Sequence, residues 1–514
     1  MNAVTPKAEF VGQADFSVSD VDVLIVGAGI SGIGMAVHLR DKCPGKTYAI
    51  LERRDDLGGT WDLFRFPGIR SDSDMHTLGF EFEPWKHEKS IADAPAIRDY
   101  LNKIVDERDI RRHIRLGQKV LAADWDSATA RWTLTSAARD GSTQQFTGKF
   151  LYAGAGYYDY DNPFDARFAG REDFKGQIIH PQFWPEDLDY TGKQVVVIGS
   201  GATAVTIVPA MTDKAAHVTM LQRTPTWYFI SPAKDRFANT LRKFLPETWA
   251  YAITRFKNIK LQDISFKKAR TAPEKVREYL TKGLQKVLGD KYDAPTFTPP
   301  YNPWEQRLCL VPDADLFEAM VQDKASIVTD RVERFDATGI VLESGKHLDA
   351  DIIVTATGLN LAMLDKIAVS VDGESVDFAH RFYYRNCMFS NVPNLAAVFG
   401  YINASWTLRV DLIANYITRL IDHMDKVGAD IAIPALPQGA TLEEESVFDS
   451  FSSGYLERGK HMMPRNAPTL PWRLNQDYIK DRRDMRSAPV DDGIMQFAKA
   501  HPVARADAVL EAAE

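Results

Sequence analysis

The chain reads as an α/β protein with two Rossmann-like domains and a helical insertion. Three observations predict this. A β-branched run ending in glycine, a glycine-punctuated helical stretch and a second buried run occur near the start, and the same series recurs from Val195. Between Pro232 and Pro300 strand signals are few and long amphipathic stretches such as Lys275 to Leu288 take over. At 514 residues and 57.7 kDa, the chain has room for two to four domains of about 100–200 residues, each with its own core.

The first series begins with Val23-Leu24-Ile25-Val26, which stops at Gly27 and continues at helical spacing through Leu39; Tyr48-Ala49-Ile50-Leu51 then ends at Glu52. Strand, helix and strand in about thirty residues imply a parallel βαβ unit. In the second, Val195-Val196-Val197-Ile198 runs into Gly199, and Val218-Thr219-Met220-Leu221 ends near Arg223. Two later apolar runs, Ile352 to Thr355 and Asn394 to Phe399, are expected to return to these sheets, and Leu412 to Val427 reads as a late helix. From Gly439 onward loop residues are more frequent.

Composition narrows the function classes. Net charge is −8 with pI about 5.8, which gives no bulk attraction to nucleic acid. Cys43, Cys309 and Cys387 lie far apart with no CxxC pair, arguing against a disulfide framework, a metal ribbon or a dithiol centre and fitting a reducing, cytoplasmic setting; no metal site is expected. The first residues, with Lys7, Glu9, Asp15, Asp20 and Asp22, lack the apolar core of a secretory signal, and no apolar run is long enough to span a bilayer.

The two glycine turns point to nucleotides. In Gly27-Ala28-Gly29-Ile30-Ser31-Gly32, Gly27 suits a tight turn, Gly29 a close approach to a pyrophosphate and Gly32 close helix–strand packing. Glu52 ends the next strand, where a carboxylate can accept from ribose hydroxyls; a solvated glutamate after a tight turn is the plainer alternative. Gly199-Ser200-Gly201-Ala202-Thr203-Ala204 is the variant with alanine in the third place. Here Gln222-Arg223 replaces the acid, offering a guanidinium to a 2′-phosphate and favouring NADPH. The first turn suits FAD, with Gly58-Gly59-Thr60-Trp61 just beyond it to bring backbone near a flavin.

Between the two units stands Phe174-x-Gly176-x-x-x-His180-x-x-x-Trp184-Pro185; upstream are Gly58-Gly59-x-Trp61, Phe66-Pro67-Gly68 and Asp72. Together these resemble the fingerprints of the Baeyer–Villiger monooxygenases. Gly59-Thr60-Trp61-Asp62-Leu63-Phe64-Arg65, Asn302-Pro303-Trp304, Gln306 to Pro312 and Asn403 to Leu408 are most similar to the ethionamide-activating branch of that family. The likeness runs from about Val21 to Gln476.

The resemblance implies an FAD-binding domain formed by 1–155 and 366–514, the latter with the C-terminal tail, and an NADP-binding domain formed by 156–230 and 306–365, with 231–305 as the helical insertion. It implies that NADPH reduces FAD, that reduced flavin captures O2 as a C4a-peroxide, and that a ketone becomes an ester or lactone, with sulfides or thioamides as further substrates. Arg307 matches the active-site arginine and Asp72 its carboxylate partner; a cation that keeps its proton can stabilise a developing oxyanion. Gly59, Thr60, Trp61 and Asp72 fall on the FAD side, and Thr203, Ala204, Arg223 and Gln306 on the NADP(H) side. Many relatives have lysine where this chain has Gln306, which shifts 2′-phosphate recognition toward Arg223. His180 reads as a hinge or orienting residue. Trp61, Trp184 and Trp406 are candidates for lining the cleft, although large aromatics more often fill a core.

Four other readings compete. An N- or S-oxygenating flavin monooxygenase shares both turns but usually lacks the Trp-Pro ending. A flavin disulfide reductase needs a cysteine pair near Gly58, and an ordinary dehydrogenase needs one nucleotide turn. From another class, an inactive oxidoreductase fold could serve as a peripheral membrane or interaction protein, since Lys234 to Lys291 holds fifteen Lys/Arg against six Asp/Glu. Solvated helix faces are the plainer account of that charge.

Overall fold

Asp20–Val26 becomes an inner strand of the first sheet because its apolar residues point both ways: Val23, Leu24 and Ile25 are all buried, as parallel structure covered on both faces requires. In the computed structural model, which describes residues 19–437, 442–445 and 453–500, it pairs in parallel with Tyr48–Leu51 on one side and with Thr143–Ala153 on the other. The acidic leader before Ser19 and the start of the tail at Gly439 lie outside the described residues. The strands Lys119–Asp126, Arg131–Ala137 and Thr143–Ala153 extend this sheet as an antiparallel meander. Leu395–Ala397 pairs with Leu151–Ala153, and Ala368–Val371 with Ala122–Trp125, so chain from far downstream completes the sheet begun at Asp20.

The second sheet is wholly parallel, in the order Ala325–Thr329, His217–Gln222, Gln194–Ile198, Ile352–Thr355 and Gln177–Ile179. The late apolar runs therefore return to the sheets as the sequence predicts: Ile352–Thr355 to the second and Leu395–Ala397 to the first. Val195, Val197 and Val354 face one core and Val196, Ile198 and Ile353 the other, so each side of this sheet is sealed.

The predicted helical segment contains Glu247–Thr271 and Pro273–Leu288. Leu284 and Leu288 enter the core of the second sheet. Arg255, buried on the longer helix, donates to the carbonyl oxygens of His76 (2.8 Å) and Gly79 (2.6 Å) and pairs with Asp411 at 3.3 Å, which fastens the insertion to the first domain. The late helix runs Trp406–Val427, starting earlier than its apolar periodicity suggests because Ser405, extended at the N-cap, precedes the mixed residues Trp406 to Arg409.

The chain passes between the sheets at 154–163 and back at 356–367. The two passages lie antiparallel and are hydrogen-bonded to each other, Asp159 N–H to Asn360 O and Ala362 N–H to Tyr157 O, both at 2.9 Å. Among the described residues no helix is long and apolar enough to cross a membrane.

Candidate active site

Each glycine turn ends in a helix whose N-cap residue is a glycine without a capping side chain: Gly29 before Ile30–Lys42 and Gly201 before Ala202–Met211. The first-turn amides of both helices are thus left for an outside acceptor, and the helix dipoles favour an anion there. The glycines divide by what surrounds them. A Cβ on Gly32 would lie 1.9 Å from the Gly27 carbonyl oxygen, and one on Gly199 (φ +140°) 2.3 Å from that of Ala356. A Cβ on Gly29 would make ordinary contact with the Gly59 backbone, Cα at 3.5 Å and N at 3.8 Å, and one on Gly201 would meet nothing within 4 Å. Chain packing explains the first pair; at Gly29 and Gly201 no atom of the chain forbids a side chain, and Gly201 faces open space.

Beside the first turn lies a cavity of about 270 Å³ that also reaches the helix start of the second motif, while Gly199 and Gly201 themselves stay outside its lining. Gly27, Gly29, Glu52, Gly59, Thr60 and Trp61 line it from the first domain, Ala202, Thr203 and Thr206 from the second. Glu52 is buried, and its carboxylate accepts from Ala28 N–H at 2.7 Å and Arg54 N–H at 2.8 Å; burial raises its pKa. It braces the first turn and also faces the cavity. Ala204 is buried beneath the second turn. Arg223 stands exposed at its strand end with no ion pair among the described residues, beside Gln222, which is spent on Thr296 O and Thr329 Oγ1. Gln306 is half-buried next to Arg307, outside the cavity lining.

Where the two halves meet, Arg307 enters the cavity just before the strand Cys309–Pro312, which is fixed by parallel pairing with Tyr228–Ser231. Asp72 reaches it from a segment held by Ser71 N–H to Ala92 O (2.8 Å) and Ala94 N–H to Ile69 O (3.0 Å). Their Nη2–Oδ2 separation is 3.3 Å. The charge on Asp72 holds the guanidinium proton above its ordinary range, against the effect of burial. Tyr157 and Tyr158, whose hydroxyls are 2.8 Å apart, stand around it, and burial pushes Tyr158 up to about 12, so both phenols stay protonated. Beyond Arg307 lies a smaller, mainly apolar pocket bounded by Tyr157, Phe399, Trp406, Tyr455, Leu456 and Met463.

Trp61 and Trp406 line the main cavity, Trp406 stacked on Tyr157 and donating to Ser31 Oγ at 2.9 Å. Trp184 does not; it is buried in the core of the second sheet. The Phe174-to-Pro185 segment also stays outside the cavity. Phe174 packs under the second sheet, Gly176 lets its ring and the Asp351 carbonyl approach, and Pro185 is exposed. His180 Nδ1 accepts Gln182 N–H at 3.2 Å and Gln182 Nε2 donates to Asp159 O at 2.9 Å, linking the segment to the first interdomain passage. Sequence reasoning missed Tyr157, Tyr158, Tyr160 and Tyr455. The first three follow Gly154-Ala155-Gly156 at the end of a buried strand, a strand-end glycine signal that could have found them.

Two sheets whose glycine turns open onto one cavity, with a paired arginine between them, define a two-dinucleotide-domain oxidoreductase. The model of the pyridine nucleotide-disulphide oxidoreductase family matches residues 24–279, although Cys43, Cys309 and Cys387 are all free and buried. The chain is 49% identical over 481 residues to the FAD-containing monooxygenase EthA of Mycobacterium tuberculosis, covering 93% of this chain and 98% of EthA. EthA of Mycolicibacterium smegmatis is 48% identical over 480 residues, covering 93% and 97%. The fold is that of a steroid monooxygenase solved with NADP, with a TM-score of 0.76 at 23% identity over 93% of this chain and all of the other. The chain belongs to the family of FAD-containing monooxygenases.

Proposed function

We propose that the protein is an NADPH- and O2-dependent monooxygenase of the Baeyer–Villiger type, converting ketones to esters or lactones and also oxidising sulfides or thioamides. The Arg307–Asp72 pair, placed where both turns and the apolar side pocket converge, carries this reading. FAD fits the first turn, whose uncapped helix and cavity-lining Gly29 suit a pyrophosphate; Glu52, Gly59, Thr60, Trp61 and Asp72 would complete its bed. NADP(H) fits the second turn through Gly199, Gly201, Thr203 and Ala204, with Arg223 and Gln306 available to the 2′-phosphate. Bound together, the two cofactors supply hydride transfer and oxygen activation.

The chain's own residues do the rest. Asp72 fixes the guanidinium, and Arg307 offers a permanent positive charge to the substrate oxygen, which gains negative charge as its carbonyl is attacked. The side pocket takes the apolar part of the substrate, and Tyr157 and Trp406 wall the reacting carbonyl off from water. His180 and the segment around it orient the two domains without touching the reaction.

The test is incubation with NADPH, a panel of ketones and of sulfides, and isotopically labelled O2. One labelled oxygen per ester is expected, and Arg307→Ala should retain flavin reduction while losing oxygenation by about 10²–10³. Ester formed at the normal rate by that variant removes Arg307 from the mechanism, and sulfoxide without ester from any ketone replaces this reading with S-oxygenation.

A further inference from the structure

The helix Glu247–Thr271 exposes large apolar side chains that a surface helix in water would ordinarily bury. Its buried positions include Tyr251, Thr254 and Arg255, whereas Trp249 is 67% exposed, Phe256 60% and Ile264 56%, with Ile253 also exposed. At 100° per residue Trp249, Ile253, Phe256, Lys260, Ile264 and Lys267 fall on one stripe, so the outward face is a continuous apolar band carrying lysines. Phe244, just before the helix, is 80% exposed, and Tyr279 on the next helix is exposed as well. Single exposed apolar side chains need no explanation, but a contiguous patch with a large aromatic core marks a contact surface.

Charge selects the occupant. Lys234 to Lys291 carries +9 on a chain of −8, so this one region is strongly positive against an acidic remainder. Lys243, Lys260 and Lys268 form no ion pair among the described residues, and Lys257 and Lys260 lie over the Phe237 and Phe256 rings at 4.5 and 5.9 Å. Lys257 is paired with Asp235 at 3.0 Å, whereas the ammonium groups of Lys243, Lys260 and Lys268 beside the exposed aromatic side chains match a surface that is apolar inside and anionic outside. A second copy of the chain would have to bring the same positive band against itself, like charge facing like.

We propose that the protein docks reversibly on anionic lipid bilayers through this face of the insertion, Trp249, Ile253 and Phe256 entering the headgroup boundary and Lys243, Lys260 and Lys268 contacting lipid phosphates. The helix lies in the membrane plane and does not cross it. This surface is separate from the Arg307 cavity, so the proposal stands or falls independently of the substrate chemistry.

The test is co-sedimentation of the flavin-loaded protein with vesicles of phosphatidylcholine alone and of equal parts phosphatidylcholine and phosphatidylglycerol. Binding is expected on the anionic vesicles, weakening as salt rises above about 0.1 M, where the screening length is about 10 Å. Two variants are compared, Trp249→Glu with Phe256→Glu, and Lys243→Glu with Lys260→Glu and Lys268→Glu, each checked for bound flavin and unchanged turnover of a water-soluble substrate. Partition at least about tenfold weaker in both supports the proposal. Absence of binding by the parent protein, or equal binding by the folded variants, overturns it. So does a parent dimer that the Trp249/Phe256 substitutions split while vesicle binding is nil, which would assign the face to a second copy.

Discussion

At the scale of single residues, the proposed chemistry rests on side chains whose protonation is settled by their surroundings. Arg307 is fixed as a cation by Asp72, and the neighbouring tyrosines are fixed as neutral phenols by burial, so the centre should keep one charge state across the working pH range. His180 differs. Its folded pKa is depressed by burial below 6.5, so the unfolded chain takes up a proton first as pH falls. The stability it contributes is present above pH 6.5 and is lost below it, and His113 acts in the same direction. Thermal melts through this range should show the decline in the parent and a shallower one in His180→Gln. An unchanged slope would mean that the imidazole is freely protonated in the folded protein.

At the scale of elements, the glycine turns make separable predictions. Gly32→Ala drives a methyl into the Gly27 carbonyl and should cost folding yield and FAD together. Gly201→Ala meets no atom of the chain, so the protein should fold and hold FAD while its KM for NADPH rises several-fold; an unaltered KM would place the nicotinamide cofactor elsewhere. Both βαβ units were legible because β-branched runs and glycines state them locally. The meander Lys119 to Ala153 passed unread although its burial alternates along Arg131–Ala137, a period-two signal present in the residues but overshadowed by the stronger parallel runs. The Arg307–Asp72 pair was found by resemblance, whereas Tyr455 and the side pocket were not, because they join the site through contacts between residues more than a hundred positions apart, which no local pattern encodes.

At the scale of the whole molecule, the cavity is also an interior boundary. FAD and NADP(H) would fill space that separates the two sheets, so they should stabilise the fold by mass action: about 2.7 kcal/mol for a ligand at a hundred times its Kd. Stripping FAD should therefore lower the melting temperature, and adding it back should restore it in a concentration-dependent way, with NADP+ giving a further rise only in the FAD-loaded protein. An apoprotein that melts at the temperature of the loaded one would show that the cofactor lies outside this boundary.

The paired passages at 154–163 and 356–367 carry a mechanical consequence. Two separate straps would let the halves slide, tilt and part; two strips laced to each other behave as a single pin, because pulling the halves apart breaks the lacing. Tyr157 and Tyr158 belong to that pin and stand beside Arg307, so the proposed reacting centre sits where the halves are tied to each other. Cofactors and products could then come and go at the outer rim while the charge at the middle hardly moves.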